Sequence, residues 1–164
     1  MVGVGLVGGP GRWPHKGAFR GASGGLSFAG RVGADDLVDA YDAARAAESA
    51  LGGPWPTDRR AALTAAWDRV LAGAVPADGL VLLLVAEDDG GVALSGVGLG
   101  AVAVLDGPTA IPVVASGHPL LGPAGAPTRR PGALTLPARP EWVVASAWGE
   151  DLGTSDLLAR AGVW

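Results

Sequence analysis

Between Leu80 and Ser116 short apolar runs alternate with Gly and Asp turns, reading VLLLVAE, DDGG, VALSGVGLG, AVAVLDGP and TAIPVVAS. Runs of this length, rich in Val and Leu and bounded by turn residues, have the signature of strands. Asp89-Gly90 and Asp106-Gly107 are the hairpin signals between them. The stretch predicts a meander of about four strands, which fixes the β half of the fold.

The rest of the chain is read around that meander. Residues 2–8 and 18–32 are Gly-rich with Val, Leu and Phe interspersed, and predict two or three opening strands. A helix is expected from Ala34 to about Leu51. Asp35, Asp36 and Asp39 suit its positive N-terminal end, and Gly52-Gly53-Pro54 stops it. Leu37, Tyr41, Ala44 and Leu51 fall at near-helical spacing within it. A second helix starts at Thr57 as N-cap, carries Leu63, Trp67, Val70 and Leu71 as its apolar stripe, and ends at Gly73 and Pro76. The short connection sets these helices antiparallel in one layer, with Ala-rich faces suited to close packing on a sheet.

Residues 117–132 are Gly/Pro-rich and predict a long loop. Ala133–Leu136 and Trp142–Ser146 read as the last strands, and Thr154–Arg160 as a short helix with Thr154 as cap. The expectation is one domain over 1–164. Its parts are opening strands (1–32), a helical pair (34–74), the meander (80–116), the Gly/Pro loop (117–132), and last strands with a short helix (133–164). The fold class is α/β, a layered sandwich in which an antiparallel strand meander packs with two antiparallel helices.

Composition narrows the function. Gly and Pro make a quarter of the 164 residues, yet apolar residues reach 49% and cluster in periodic runs, which separates this chain from disordered ones. A net charge of -4 gives no basic footprint for nucleic acid. Arg59-Arg60 and Arg129-Arg130 are isolated pairs. With no cysteine, disulfides, thiolate metal sites and cysteine nucleophiles are excluded. The first residues lack the positive region of a signal peptide, and no run approaches the length of a membrane helix, so a cytoplasmic location is expected. Eleven Arg against one Lys, with abundant Ala and Gly, points to a high-GC bacterial genome.

Several motif matches dissolve on their context. Gly3, Gly5 and Gly8 spell G-x-G-x-x-G, but only Met1 and Val2 precede them and Gly9-Pro10-Gly11 follows. Among 28 glycines such spacings arise by composition. Gly21-Ala22-Ser23-Gly24-Gly25 fits G-x-S-x-G, and Asp106 and His118 follow in hydrolase order, but Leu26-Ser27-Phe28-Ala29 reads as strand where a nucleophile elbow needs a helix. The Asp35-Asp36-Leu37-Val38-Asp39 string reads as a helix start. His15 and His118 sit in Gly/Pro loops with no local ligand partner. An N-terminal-nucleophile hydrolase would need Ser, Thr or Cys heading an early strand, and Val2 follows Met1. Six tryptophans outnumber the other aromatics. Trp67 belongs to a helix face, whereas Trp13, Trp55, Trp148 and Trp164 lie in loops or at the terminus. Loop tryptophans serve either as binding hot spots or as covers for a core edge.

From about Gly21 onward the order of elements resembles the type 2C, metal-dependent serine/threonine protein phosphatases of bacteria. Gly24-Gly25 before an Ala/Asp-rich helix is similar to that family's D-G-x-G-G turn. LSGVGLGAVAVLDG (94–107) is similar to its v-G-D-S-r-a-y-l…d-G hairpin, and WVVASAW (142–148) to its l-l-L-x-S-D-G strand end. In the family, aspartates at these turns hold two Mn²⁺ or Mg²⁺ ions whose bridging water attacks the phosphoester. This chain departs at each one. The first turn has no carboxylate, Leu99 stands at the G-D position, and Ala147 follows Ser146 where the S-D-G aspartate belongs. Leu and Ala offer no oxygen to a hard cation.

The resemblance therefore implies a phosphatase-2C-like fold without the family's chemistry: no catalytic residue, no cofactor and no metal. The expected role is a protein-binding or regulatory subunit of a bacterial multi-protein system, with an ATPase, kinase or effector as partner. Trp13, Trp55 and Trp148 are the contact candidates; neither nucleic acid nor membrane insertion is expected. Two rival readings are enzymatic. One is a small hydrolase using Ser23, His118 and Asp106; the other is an atypical metal phosphatase built from Asp88, Asp89, Asp106 and Asp151.

Overall fold

The computed structural model describes residues 2–8, 16–33, 36–75, 78–113, 118–125, 127–149 and 152–162. The chain opens with β1 (Gly3–Val7), β2 (Ala18–Ser23) and β3 (Leu26–Arg31), followed by α1 (Leu37–Ala50) and α2 (Arg59–Leu71). Then come β4 (Val81–Asp88), β5 (Gly91–Val97), β6 (Leu99–Asp106) and β7 (Thr109–Pro112). β8 (Leu134–Leu136), β9 (Trp142–Ala147) and α3 (Thr154–Arg160) complete it.

The strands form two sheets, ordered β1-β9-β6-β7 and β2-β3-β4-β5-β8. Among the described strands β1 and β9 pair in parallel and the other neighbours are antiparallel. The expected meander is thus correct as four strands but is divided between the sheets. β4 and β5 stay in one, and β6 and β7 cross to the other at Gly98. There φ is +72°, and a Cβ would lie 3.0 Å from the Leu80 carbonyl oxygen, the Ala124 Cα and a Val81 methyl. Only glycine meets both conditions, so this residue sets the crossover.

Strand periodicity explains the layers. Leu82, Leu84 and Ala86 of β4 join the cluster under the helices, while Val81, Leu83 and Val85 point into the space between the sheets. Burial on both faces is why this strand reads as an unbroken apolar run. Val102, Val104, Val143 and Ala145 meet them from the facing sheet. On that sheet's outer face Ala103, Leu105 and Val144 pack with Leu157 and Leu158 of α3. The order is helix pair, five-stranded sheet, four-stranded sheet, terminal helix.

α1 and α2 run antiparallel on one face, as the short connection implied. Arg45 and Glu48 of α1 reach Ala18 and Arg20 of β2, and Gly53 abuts Ser23 at the β2 end. α2 starts beside Asp88, at the same end, and returns. Asp36 caps α1, accepting from the Val38 and Asp39 amides at 2.8 and 3.1 Å. Asp58 caps α2, its carboxylate 2.9 Å from the Ala61 amide. Thr57 therefore lies one residue before the cap. Thr154 likewise begins α3 rather than capping it; the cap position is Gly153, which offers no side-chain acceptor.

The buried stripe of α1 is Ala40, Ala44 and Ala47, and Leu37 and Tyr41 face outward, 42% and 52% exposed. Spacing alone had grouped Leu37 and Tyr41 with Ala44. Tyr41 lies one residue, about 100°, past Ala40 on the small-residue line that lets the helix sit close on β2, and Leu37, at the start of the first turn, lies at that line's edge, about 60° from Ala40. In α2 the buried set is Ala62, Leu63, Ala66, Trp67 and Val70, with Leu71 turned outward. Trp67 is core, as read from sequence. Its indole N–H donates to Ser95 Oγ at 3.0 Å, and that hydroxyl donates to the Gly132 carbonyl at 2.8 Å, tying α2, β5 and the Gly/Pro loop together. This satisfies the two polar groups that burial would otherwise penalise.

Candidate functional site

The strand registers bring a particular set of residues to one end of the sandwich. Arg31 closes β3 opposite Val81, and Val97 closes β5 opposite Leu82. Leu99 opens β6 directly across from Ala147, which closes β9. So the two positions at which the phosphatase resemblance implies aspartates, far apart in sequence, are cross-strand partners. Both are buried, Leu99 completely.

Segment 118–125 lies across this end. The Gly122 amide donates to the Leu99 carbonyl and the Gly125 amide to that of Leu80, each at 3.0 Å. Leu120 turns inward, 3% exposed, into the same cluster as Leu99, Val81 and Ala147. An apolar plug occupies the mouth between the sheets. Immediately after Ala147 the Trp148 amide donates to the Gly98 carbonyl at 2.7 Å, and the indole stands 53% exposed.

The third stretch of the resemblance is elsewhere. Gly24-Gly25 turns β2 into β3, and a six-residue strand separates it from the approach to α1. The turn and the start of α1 therefore lie at opposite ends of β3, which runs on into Val32-Gly33 at the plugged end.

The Gly24-Gly25 end holds a charged cleft of about 710 Å³, lined also by residues 57–60 and 87–90. Of the carboxylates lining it, Asp58, Glu87 and Asp88 are engaged by the chain itself. Asp88 accepts from the Arg59 amide, the Gly90 amide and the Arg59 guanidinium at 3.1, 2.8 and 3.0 Å. The two backbone N–H groups, then the Arg59 charge, hold its carboxyl below the ordinary aspartate range. Glu87 accepts from the Val2 amide at 3.1 Å, and Asp58 is the α2 cap. Among the described residues no three His, Cys, Asp or Glu side chains group as metal ligands. Asp106 lies at the β6–β7 turn in the other sheet, and Asp151 is outside the described residues.

Ser23, His118 and Asp106 are not brought together. Ser23 is at the charged end, opposite Leu26. His118 is at the plugged end, where its carbonyl accepts from Leu121 and its Nδ1 from the Leu120 amide at 3.1 Å. Asp106 is seven residues along β6 from Leu99, roughly 23 Å at strand rise. His118 is a local cap.

The tryptophan candidates also separate. Trp13 lies outside the described residues. Trp55 donates its indole N–H to the Leu51 carbonyl at 3.2 Å, and the Arg69 guanidinium stacks 4.0 Å from its ring centroid while bonding the Ala50 carbonyl. It is half-buried and braces the end of α1 against α2. Trp148 is the candidate that projects from the surface. Sequence reasoning missed Leu120. Its signal was the Leu120-Leu121 pair, an apolar dyad inside an otherwise Gly/Pro-rich loop.

No family model, no curated protein and no solved structure matches this chain. Among the described residues no helix is long and apolar enough to cross a membrane.

Proposed function

We propose that this chain is a catalytically silent, phosphatase-2C-like domain that works by holding a protein partner. The observation that carries the reading is the Leu99–Ala147 pair. Where the resemblance puts metal-binding carboxylates, two apolar side chains face each other, closed over by Leu120. A hydrated divalent ion needs several oxygen ligands, and these side chains provide none. A half-exposed Trp at the rim of the plug has the character of a binding anchor, a large rigid surface that loses little entropy on contact. The partner class is an ATPase, kinase or effector of a bacterial multi-protein system, acting in the cytoplasm.

The test is affinity capture of the tagged protein from its host, read by mass spectrometry, beside a Trp148→Ala variant of equal stability. A stoichiometric partner captured by the wild type and lost from the variant is the expected result. Equal capture by both removes Trp148 from the interface. Manganese-dependent hydrolysis of an aryl phosphate, abolished by Asp88→Asn, would overturn the catalytically silent reading altogether.

A further inference from the structure

We propose that the cavity of about 470 Å³ between the edge strands β1 and β2 binds a small phosphomonoester, gripped by Arg20, Arg31 and Arg45. Among its described lining residues are four guanidiniums, the fourth from Arg160, against the single carboxylate of Glu48. The chain as a whole carries -4. A cationic concentration of this kind in an acidic protein is placed by the fold, since the arginines come from β2, β3, α1 and α3.

Arg31 is the informative member. It is half-buried, and its Nε and Nη2 donate to the Gly8 and Leu6 carbonyls at 2.9 and 3.2 Å. None of the ion pairs among the described residues includes it. Burial pushes its pKa below the ordinary arginine value, the mark of a cation short of compensating charge. The two neutral carbonyls orient the guanidinium without neutralising it, and an oxyanion in the cavity would do so.

Arg45 is held at the mouth by Glu48 (3.1 Å) and the Ala18 carbonyl (3.2 Å). Glu48 also accepts from the Arg20 amide at 3.4 Å. Planar guanidinium forks match the spacing of phosphate oxygens, and several of them suit a dianion better than a single carboxylate. The cavity is larger than a bare phosphate, and Trp142 supplies an apolar wall for the carbon part of an ester. This site uses none of the residues of the Trp148 rim, so either proposal can fail alone.

The full chain is titrated with sodium phosphate and with O-phosphoserine at constant ionic strength. Thermal midpoint and arginine Nε–H NMR shifts are followed, with chloride and acetate as comparators. Saturable shifts with both phosphates, and none with the comparators, are expected. Arg20→Gln, an exposed position, should weaken O-phosphoserine binding roughly tenfold, as loss of a charge-assisted bond does. Glu48→Gln should strengthen it, because it removes the one carboxylate among the described lining residues while keeping an acceptor for the Arg20 amide. Opposite signs from two folded variants support the site. Shifts equal to those from chloride, or unchanged by both substitutions, overturn it.

Discussion

At one end of the sandwich the turns are tied by Arg59, Asp88 and the Asp58 cap around an open cleft. At the other, Leu99, Ala147 and Leu120 close the space between the sheets and Trp148 stands outside. The charged end has carboxylates, of which Asp58, Glu87 and Asp88 are committed to amides and a guanidinium. The plugged end sits where the resemblance implies metal chemistry and has no carboxylate in its core. Charge at a turn is compatible with many roles. Hydrocarbon in place of ligands bears on one role directly, and for that reason the plugged end carries the functional proposal.

Substitutions at the two ends should differ most in stability. Leu99→Asp puts an uncompensated carboxylate among Val81, Leu120 and Ala147, and a loss of about 3–5 kcal/mol is expected in urea unfolding. A loss under about 1 kcal/mol would mean that the plug opens readily, and would sharpen the case for residual ion binding there. Gly98→Ala attacks the crossover by strain and crowding, at about 1–3 kcal/mol.

The two loop tryptophans make a finer contrast. Trp55→Ala strips the stack on Arg69 and the brace to Leu51, and should cost about 1–3 kcal/mol with no loss of partner capture. Trp148→Ala should leave stability within about 0.5 kcal/mol and abolish capture. Reversal of that pattern would exchange their assigned roles.

The smallest effect is expected at the charged end, as a change in pH dependence. The Asp88 carboxyl is held below its ordinary value, so its contribution is complete at neutral pH. It is lost as pH falls below about 4, through the depressed native value. Asp68, lowered by the Arg130 guanidinium, acts in the same sense. Asp88→Asn should therefore flatten the acid limb of the stability curve and change it little at pH 7. An unchanged acid limb would mean that the Arg59 contact contributes nothing to folding.

Much of the fold was legible because local physics fixed it. The strands at 81–88, 91–97 and 99–106, both main helices and the turns at Asp89-Gly90 and Asp106-Gly107 follow from apolar run length and turn chemistry. The outward placement of Leu37 and Tyr41 was not legible. Helical spacing admits two overlapping stripes in α1, and only the close approach of β2 selects the alanine one. Of the candidate site, Leu99 and Ala147 could be read as departures from a pattern. Their direct pairing could not be read, since it depends on the register between β6 and β9.

The sequence by itself determined which segments are strands and helices, because apolar periodicity, Asp caps and Gly turns act within a few residues. It also determined that the side chains of Leu99 and Ala147 carry no ligand atoms. Tertiary structure alone decided that the meander divides at Gly98, that Leu120 closes the mouth, and that Trp55 is a brace while Trp148 is exposed. It likewise gathered arginines from four separate elements around one cavity. These outcomes depend on contacts between residues tens of positions apart, whose energies exist only once the two sheets have packed face to face.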